Sequence, residues 1–184
     1  LQGIPMLGRG EGAEGGYVGL YGIARDISER KRAEEIISFQ AHHDQLTRLP
    51  NRTLFRDRLE LALTQARRRS GSLAVLYVDI DRFKLVNDTY GHSEGDALIR
   101  GVSARLSASL RRSDTLARVG GDEFTILLPD IGGVEDAEHT ARKIQTSLEA
   151  PLALTHGDFR ATVSVGIAIY PADGETCETL MQHA

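Results

Sequence analysis

Leu73-Ala74-Val75-Leu76-Tyr77-Val78-Asp79-Ile80-Asp81 is the stretch that decides the fold. Residues 73–78 are an unbroken apolar run, bounded by Gly71 on one side and by acids on the other. A run of this length without polar alternation reads as a central strand buried on both faces. Such a strand needs covering elements on both sides, and the flanking sequence supplies helices. Upstream, Phe55, Leu59, Ala62 and Ala66 fall on one face of a helix that runs toward Arg67-Arg68-Arg69 and Gly71. Downstream, Leu98, Val102, Leu106 and Leu110 recur at spacings of four and predict a second helix. Residues 116–119 and 124–128 read as two strands around Gly120-Gly121, a dipeptide that favours a tight hairpin turn because both glycines tolerate positive φ. Ala137, Ala141, Ile144 and Leu148 mark a third helix ending at Pro151. Val163, Val165, Ile167 and Ile169 alternate as a half-buried strand, and residues 178–183 begin another helix. Helix, strand, helix, hairpin, helix, strand: this order predicts an α/β (α+β) sandwich with a mixed, largely antiparallel central sheet and flanking helices, close to a ferredoxin-like arrangement.

The 184 residues suffice for one complete domain plus an appendage. A formal charge of -4 argues against general binding to nucleic acid or to an anionic membrane, both of which favour a basic surface. The lone Cys177 forms no internal disulfide, and no stretch approaches the roughly 20 apolar residues of a membrane span. A cytoplasmic location for this segment is expected, with any membrane anchor lying outside it. The chain lacks an initial methionine and a signal-peptide pattern and stops inside a predicted helix, as an excised fragment would. Residues 17–24 read as a single strand, too little for a domain, and residues 26–35 as a helix opened by cap-forming residues. Ala33, Ile37 and Ala41 share one face of that helix, which suits either a short parallel coiled coil or a solvated charged linker.

The chemistry should sit where the acids cluster. The central strand ends in Asp79-Ile80-Asp81, and Asp122-Glu123 directly follows the hairpin glycines. If the hairpin lies beside the central strand, carboxylates from two strands converge on one small volume. Carboxylates that close repel unless a cation joins them, and an all-oxygen donor set suits Mg²⁺ or Mn²⁺ rather than zinc. Acids at strand ends that are merely solvated are the competing account. Successive strand residues face opposite ways, so Asp122 and Glu123 are not both expected in the site.

Gly120-Gly121-Asp122-Glu123-Phe124 matches the signature of the GGDEF family, and Asp79-Ile80-Asp81-Arg82-Phe83-Lys84, Asn87-Asp88, Gly91-His92 and Gly95-Asp96 resemble that family's substrate region. Asp44-Gln45-Leu46-Thr47-Arg48-Leu49-Pro50-Asn51-Arg52 resembles its opening motif. The resemblance covers residues 43–184 and implies a nucleotidyl-cyclase-like fold and a diguanylate cyclase, which joins two GTP into cyclic di-GMP and releases pyrophosphate. It further implies that Asp79, Asp122 and the Ile80 carbonyl hold Mg²⁺ or Mn²⁺, and that Asn87 and Asp96 recognise the guanine edge. Lys84 would steady phosphate charge. Asp122 or Glu123 would help deprotonate the attacking hydroxyl, with Asp122 favoured as the metal-side group. Asp96 as a plain helix cap, and His92 either touching substrate or sitting in a surface loop, stay open. Each domain would bind one GTP, so catalysis implies a homodimer, at least transiently. Arg111 and Asp114 match the family's inhibitory site for cyclic di-GMP, with Arg142 or Lys143 as a further basic contact. Residues 1–27 resemble the end of a PAS sensor domain and residues 28–42 its helical signalling linker.

One departure bears on activity. The family usually continues with a lysine and arginine segment that contacts the outer phosphates, and this chain ends before it. A non-catalytic GTP- or cyclic di-GMP-binding regulatory domain, paired with a phosphodiesterase, is therefore the alternative. A polymerase-like nucleotidyl transferase would need a basic template groove, which the acidic balance disfavours.

Overall fold

A computed structural model of the chain describes residues 28–29 and 39–184. The expected sensor remnant, residues 1–27, and most of the expected linker lie outside the described residues. Gln40–Ala184 forms one unit. At its centre lies β1 (Ser72–Ile80), flanked by the strands at Glu123–Ile131 and Val163–Tyr170. In chain order these elements are α1 (Arg52–Arg69), β1, α2 (Phe83–Tyr90), α3 (His92–Ser109), β2 (Thr115–Arg118), β3 (Glu123–Ile131), α4 (Val134–Glu149), β4 (Leu152–Leu154), β5 (Gly157–Phe159), β6 (Val163–Tyr170) and α5 (Cys177–His183). The main sheet has the order β2-β3-β1-β6, and its pairings are all antiparallel. Among the described residues the sheet thus realises the antiparallel part of the expected architecture.

The unbroken apolar run of β1 has a two-sided explanation. Side chains alternate across a strand, so odd positions face one layer and even positions the other. Leu73 and Val75 join Ala117, Leu127, Ala168 and Tyr170 beneath α1 and α5. Ala74, Leu76, Val78 and Ile80 join Phe124, Ile126 and Leu128 beneath α3 and α4. Each fully buried Leu, Ile or Phe contributes about 1.5–3 kcal/mol, so neither layer is dispensable.

Helix ends follow local rules. Asn51 caps α1, its side chain accepting from the Leu54 amide at 3.1 Å, and Arg67, Arg68 and Arg69 complement the dipole in the last turn. The buried face of α1 is Phe55, Leu59, Leu63 and Ala66, with Leu63 in the place expected for Ala62. Arg105 of α3 donates to the carbonyls of Ser147, Ala150 and Pro151, closing the C-terminal end of α4. No helix among the described residues is long and apolar enough to cross a membrane.

Two expectations need correction. Gly120 and Gly121 do not take positive φ; among the described glycines the left-handed region is used by Gly91 and Gly157. At Gly120 the Glu123 side chain occupies the space of a Cβ, which would lie 2.2 Å from its Oε2. The second concerns Asp96. Gly91 precedes α3, which begins at His92, so Asp96 is an interior residue of the helix and not its cap.

Candidate active site

Pairing of β1 with β3 brings the acids together. Asp79 sits directly across from Glu123, and the Ile80 amide donates to the Asp122 carbonyl at 3.3 Å. Burial raises the Asp79 carboxyl above the usual carboxylate range, and the charges of Asp122, Glu123 and Asp81 raise it further. Asp81 is engaged elsewhere: Ser164 donates to its Oδ1 at 2.7 Å, and hydrogen bonds from Thr162 and Ser164 hold its carboxyl low. Asp79 is therefore the strand-end acid whose charge the protein leaves uncompensated. Among the described residues no three acidic, histidine or cysteine side chains are arranged to enclose a metal ion. Two carboxylates and a main-chain carbonyl fit a hard divalent cation that takes its other ligands from phosphate oxygens and water.

The substrate-region residues lie at the corner between α2 and α3. Arg82 precedes α2 at φ 59 with no side-chain cap, and Lys84 is exposed in its first turn. Asn87 turns its Oδ1 into the corner, where the oxygen is buried without a hydrogen-bond partner. Gly95 makes room for it, since a Cβ at 95 would lie 2.0 Å from that oxygen and 3.2 Å from the Phe83 ring. Asp96, the next residue, is exposed, as is His92 at the start of α3. An acceptor buried without a donor costs on the order of 1–3 kcal/mol, a condition that Asn87 Oδ1 shares with Glu94 Oε2 and Thr125 Oγ1.

The chain matches the family model for "Diguanylate cyclase, GGDEF domain" over residues 41–184. It belongs to the GGDEF family. The diguanylate cyclase TpbB of Pseudomonas aeruginosa is 43% identical over 149 residues, which is 80% of this chain and 34% of TpbB. The GGDEF domain of the same protein superposes with a TM-score of 0.75 at 42% identity, covering 77% of this chain and 83% of that one. The coiled coil and GGDEF domain of DgcB from Caulobacter crescentus, solved with cyclic di-GMP, superposes at 0.75 with 27% identity, covering 85% and 83%. The chain spans about a third of the length of TpbB. The family match opens at residue 41, two residues before the boundary expected from the opening motif.

A residue that sequence reasoning missed ties this GGDEF domain's opening motif to its signature hairpin. Nη1 of Arg118 reaches Oδ1 and Oδ2 of Asp44 at 2.9 and 3.1 Å. Its Nε and Nη2 donate to the Gly121 carbonyl at 3.2 and 2.7 Å. Thr47 donates to Asp44 Oδ1 through its amide at 2.8 Å and its hydroxyl at 2.7 Å. Burial pushes the Asp44 carboxyl up, but the Thr47 hydroxyl and amide and the Arg118 guanidinium bring it below its usual range. An arginine two residues before the glycine pair, with an acid-led turn elsewhere, was the available signal.

Arg111 and Asp114 form one tight turn: the Arg111 amide donates to Asp114 Oδ2 at 2.8 Å, and the Asp114 amide to the Arg111 carbonyl at 3.1 Å. Arg111 is exposed and Asp114 half-buried. On α4, Arg142 pairs with Glu138 at 2.7 Å, and Lys143 is exposed.

Proposed function

We propose that this GGDEF domain is an active diguanylate cyclase. The observation that carries the proposal is the meeting of Asp79, Asp122 and Glu123 at the paired ends of β1 and β3. In the reaction the 3′ hydroxyl of one GTP attacks the α-phosphorus of another. A P–O bond forms, the bond to pyrophosphate breaks, the hydroxyl proton passes to a base, and a second such step closes the ring.

The Asp96 carboxylate accepts from the N1 and N2 groups of guanine and Asn87 recognises the same edge, where adenine offers an acceptor at N1 and no amine at C2. Lys84 draws in the triphosphate. Asp79, Asp122 and the Ile80 carbonyl would hold Mg²⁺ or Mn²⁺, which when bound neutralises charge on the phosphates as pyrophosphate departs. Glu123, opposite Asp79, takes the hydroxyl proton either directly or with Asp122. One corner serves one GTP, so two copies face each other for turnover, and a cytoplasmic supply of GTP suits the site. The Arg111 fork and the Asp114 carboxylate offer cyclic di-GMP a second, inhibitory site, with Arg142 or Lys143 nearby in role.

Calorimetry with GTP and ATP in the presence of Mg²⁺ tests the substrate assignment. The wild type should prefer GTP, and Asn87→Ala or Asp96→Ser should weaken binding and relax the preference. Equal affinity for ATP and GTP in the wild type contradicts the guanine corner.

A further inference from the structure

Asn87 and Asp96 stand on different helices, so the guanine corner is only as well formed as the angle between α2 and α3. One non-helical residue, Gly91 at φ 86, joins them. Main-chain hydrogen bonds at this joint all run through Gly91, whose amide donates to Asn87 O at 2.9 Å and whose carbonyl accepts from the Glu94 and Gly95 amides at 3.2 and 3.3 Å.

His156 touches both sides of the joint. It stands in the turn between β4 and β5, and its ring makes a tilted contact with that of Tyr90, the last residue of α2, at 5.8 Å between centroids and 33° between planes. Its Nδ1 lies 3.3 Å from Oε1 of Glu94 in the first turn of α3. Glu94 is 4% exposed, and its Oε2 is buried without a hydrogen-bond partner. The nearby Thr155 hydroxyl, and then His156, hold the Glu94 carboxyl below its usual range. The hairpin is anchored again at Gly101, where a Cβ would lie 2.9 Å from Leu152 Cδ2. Glu94 and Gly101 are seven positions apart, two turns on one face, so β4 lies along α3 and the turn after it ends over the joint.

A carboxylate this deeply buried is costly unless it is partnered. Glu94 finds its partners, Thr155 and His156, in a turn whose His156 also touches Tyr90 of α2, so one turn both serves Glu94 and reaches the other helix. We propose that His156 is a positioning residue: by bridging Tyr90 and Glu94 across Gly91 it fixes α2 against α3 and so sets Asn87 for guanine. The inference rests on the reading of Asn87 as a residue that recognises guanine. Neither His156 nor Glu94 is among the metal-side carboxylates, so their loss affects nucleotide affinity and leaves the chemical step.

Steady-state cyclic di-GMP formation and calorimetric binding of GTP and ATP, on the wild type and on His156→Ala, His156→Gln and Asn87→Ala, test this. His156→Ala should raise KM for GTP about tenfold with kcat within about twofold of wild type. Its preference for GTP over ATP should shrink in step with that of Asn87→Ala. His156→Gln, which keeps a donor for Glu94, should recover most of the affinity, which simple loss of packing would not explain. Because the Thr155 hydroxyl still serves Glu94 and the His156 side chain is 60% exposed, the His156 variants should fold, with only a small fall in Tm. If Asn87→Ala weakens GTP binding while His156→Ala changes neither KM nor affinity, the positioning role is overturned and the guanine corner stands. A fall in kcat at constant KM also overturns it. If Asn87→Ala leaves GTP affinity intact, the guanine corner itself fails, and the role of His156 with it.

Discussion

Replacing Arg118 with methionine removes the guanidinium while keeping most of the side chain's bulk. The Arg118 and Asp44 side chains are 12% and 23% exposed, so the ion pair is largely shielded from water. Four hydrogen bonds disappear, two to Asp44 and two to the Gly121 carbonyl. Breaking a buried pair costs about 3–5 kcal/mol when the remaining charge is stranded. Here the Asp44 carboxylate keeps both Thr47 hydrogen bonds and some access to water, which lowers the expected loss to about 2–3 kcal/mol. For a domain of this size that corresponds to a fall in Tm of about 5–12 °C. Thermal denaturation followed by circular dichroism measures it, and a cycle with Asp44→Asn should return a coupling of about 1–2 kcal/mol. The pH dependence has a definite sign. The Asp44 carboxyl is held below its unfolded value, so the pair stabilises fully above the ordinary carboxylate range and loses this effect as pH falls through the lower folded value. The gap between wild type and Arg118→Met should therefore close in acid. A Tm within about 2 °C of wild type at neutral pH, or no coupling to Asp44, refutes the claim that this pair binds the opening motif to the signature hairpin.

Three further outcomes are expected. Asp79 is raised by burial and then by Asp122, so charge repulsion penalises the metal-free fold as pH rises above the ordinary carboxylate range. Asp122→Asn should accordingly stabilise the chain in chelator at neutral pH by up to about 1 kcal/mol and have no such effect in acid; equal stability at both pH values contradicts the crowding. Gly95→Ala drives a methyl onto the Asn87 oxygen, so it should cost about 1–3 kcal/mol in denaturant melts and sharply weaken GTP binding, and unchanged binding would separate Asn87 from the nucleotide. Arg111→Ala with Asp114→Ala should remove calorimetric binding of cyclic di-GMP while leaving GTP binding intact; equal affinity in both proteins rejects the inhibitory site.

How much of this was legible in the sequence depends on the kind of signal. Repeating apolar positions announced α1, α3, α4 and β6, because burial on one face leaves a period, and an unbroken apolar run announced β1, which is buried on both faces. No such period marks α2, whose one buried residue is Val86 and whose later turns carry Asn87, Asp88 and Thr89, poor helix formers. That helix owes its form to where β1 ends, and the three-residue strands β4 and β5 are too short to show alternation. Asp79, Asp122 and Asn87 were proposed for the site from their motifs. The separation of Asp79 from Asp81 was not legible there, since it turns on Ser164 and Thr162, more than 80 positions away. The same holds for Arg118 with Asp44 and for His156 with Glu94: long-range pairs leave no trace in local spacing.

Product formation is the most direct test of the account. Incubation of the protein with GTP and Mg²⁺, followed by chromatography and mass spectrometry, should yield cyclic di-GMP and pyrophosphate from the wild type and neither from Asp122→Ala, which should melt close to wild type. A wild type that binds GTP yet forms no cyclic di-GMP, or an Asp122→Ala variant that forms it at the wild-type rate, would contradict the assignment of catalysis to the paired ends of β1 and β3.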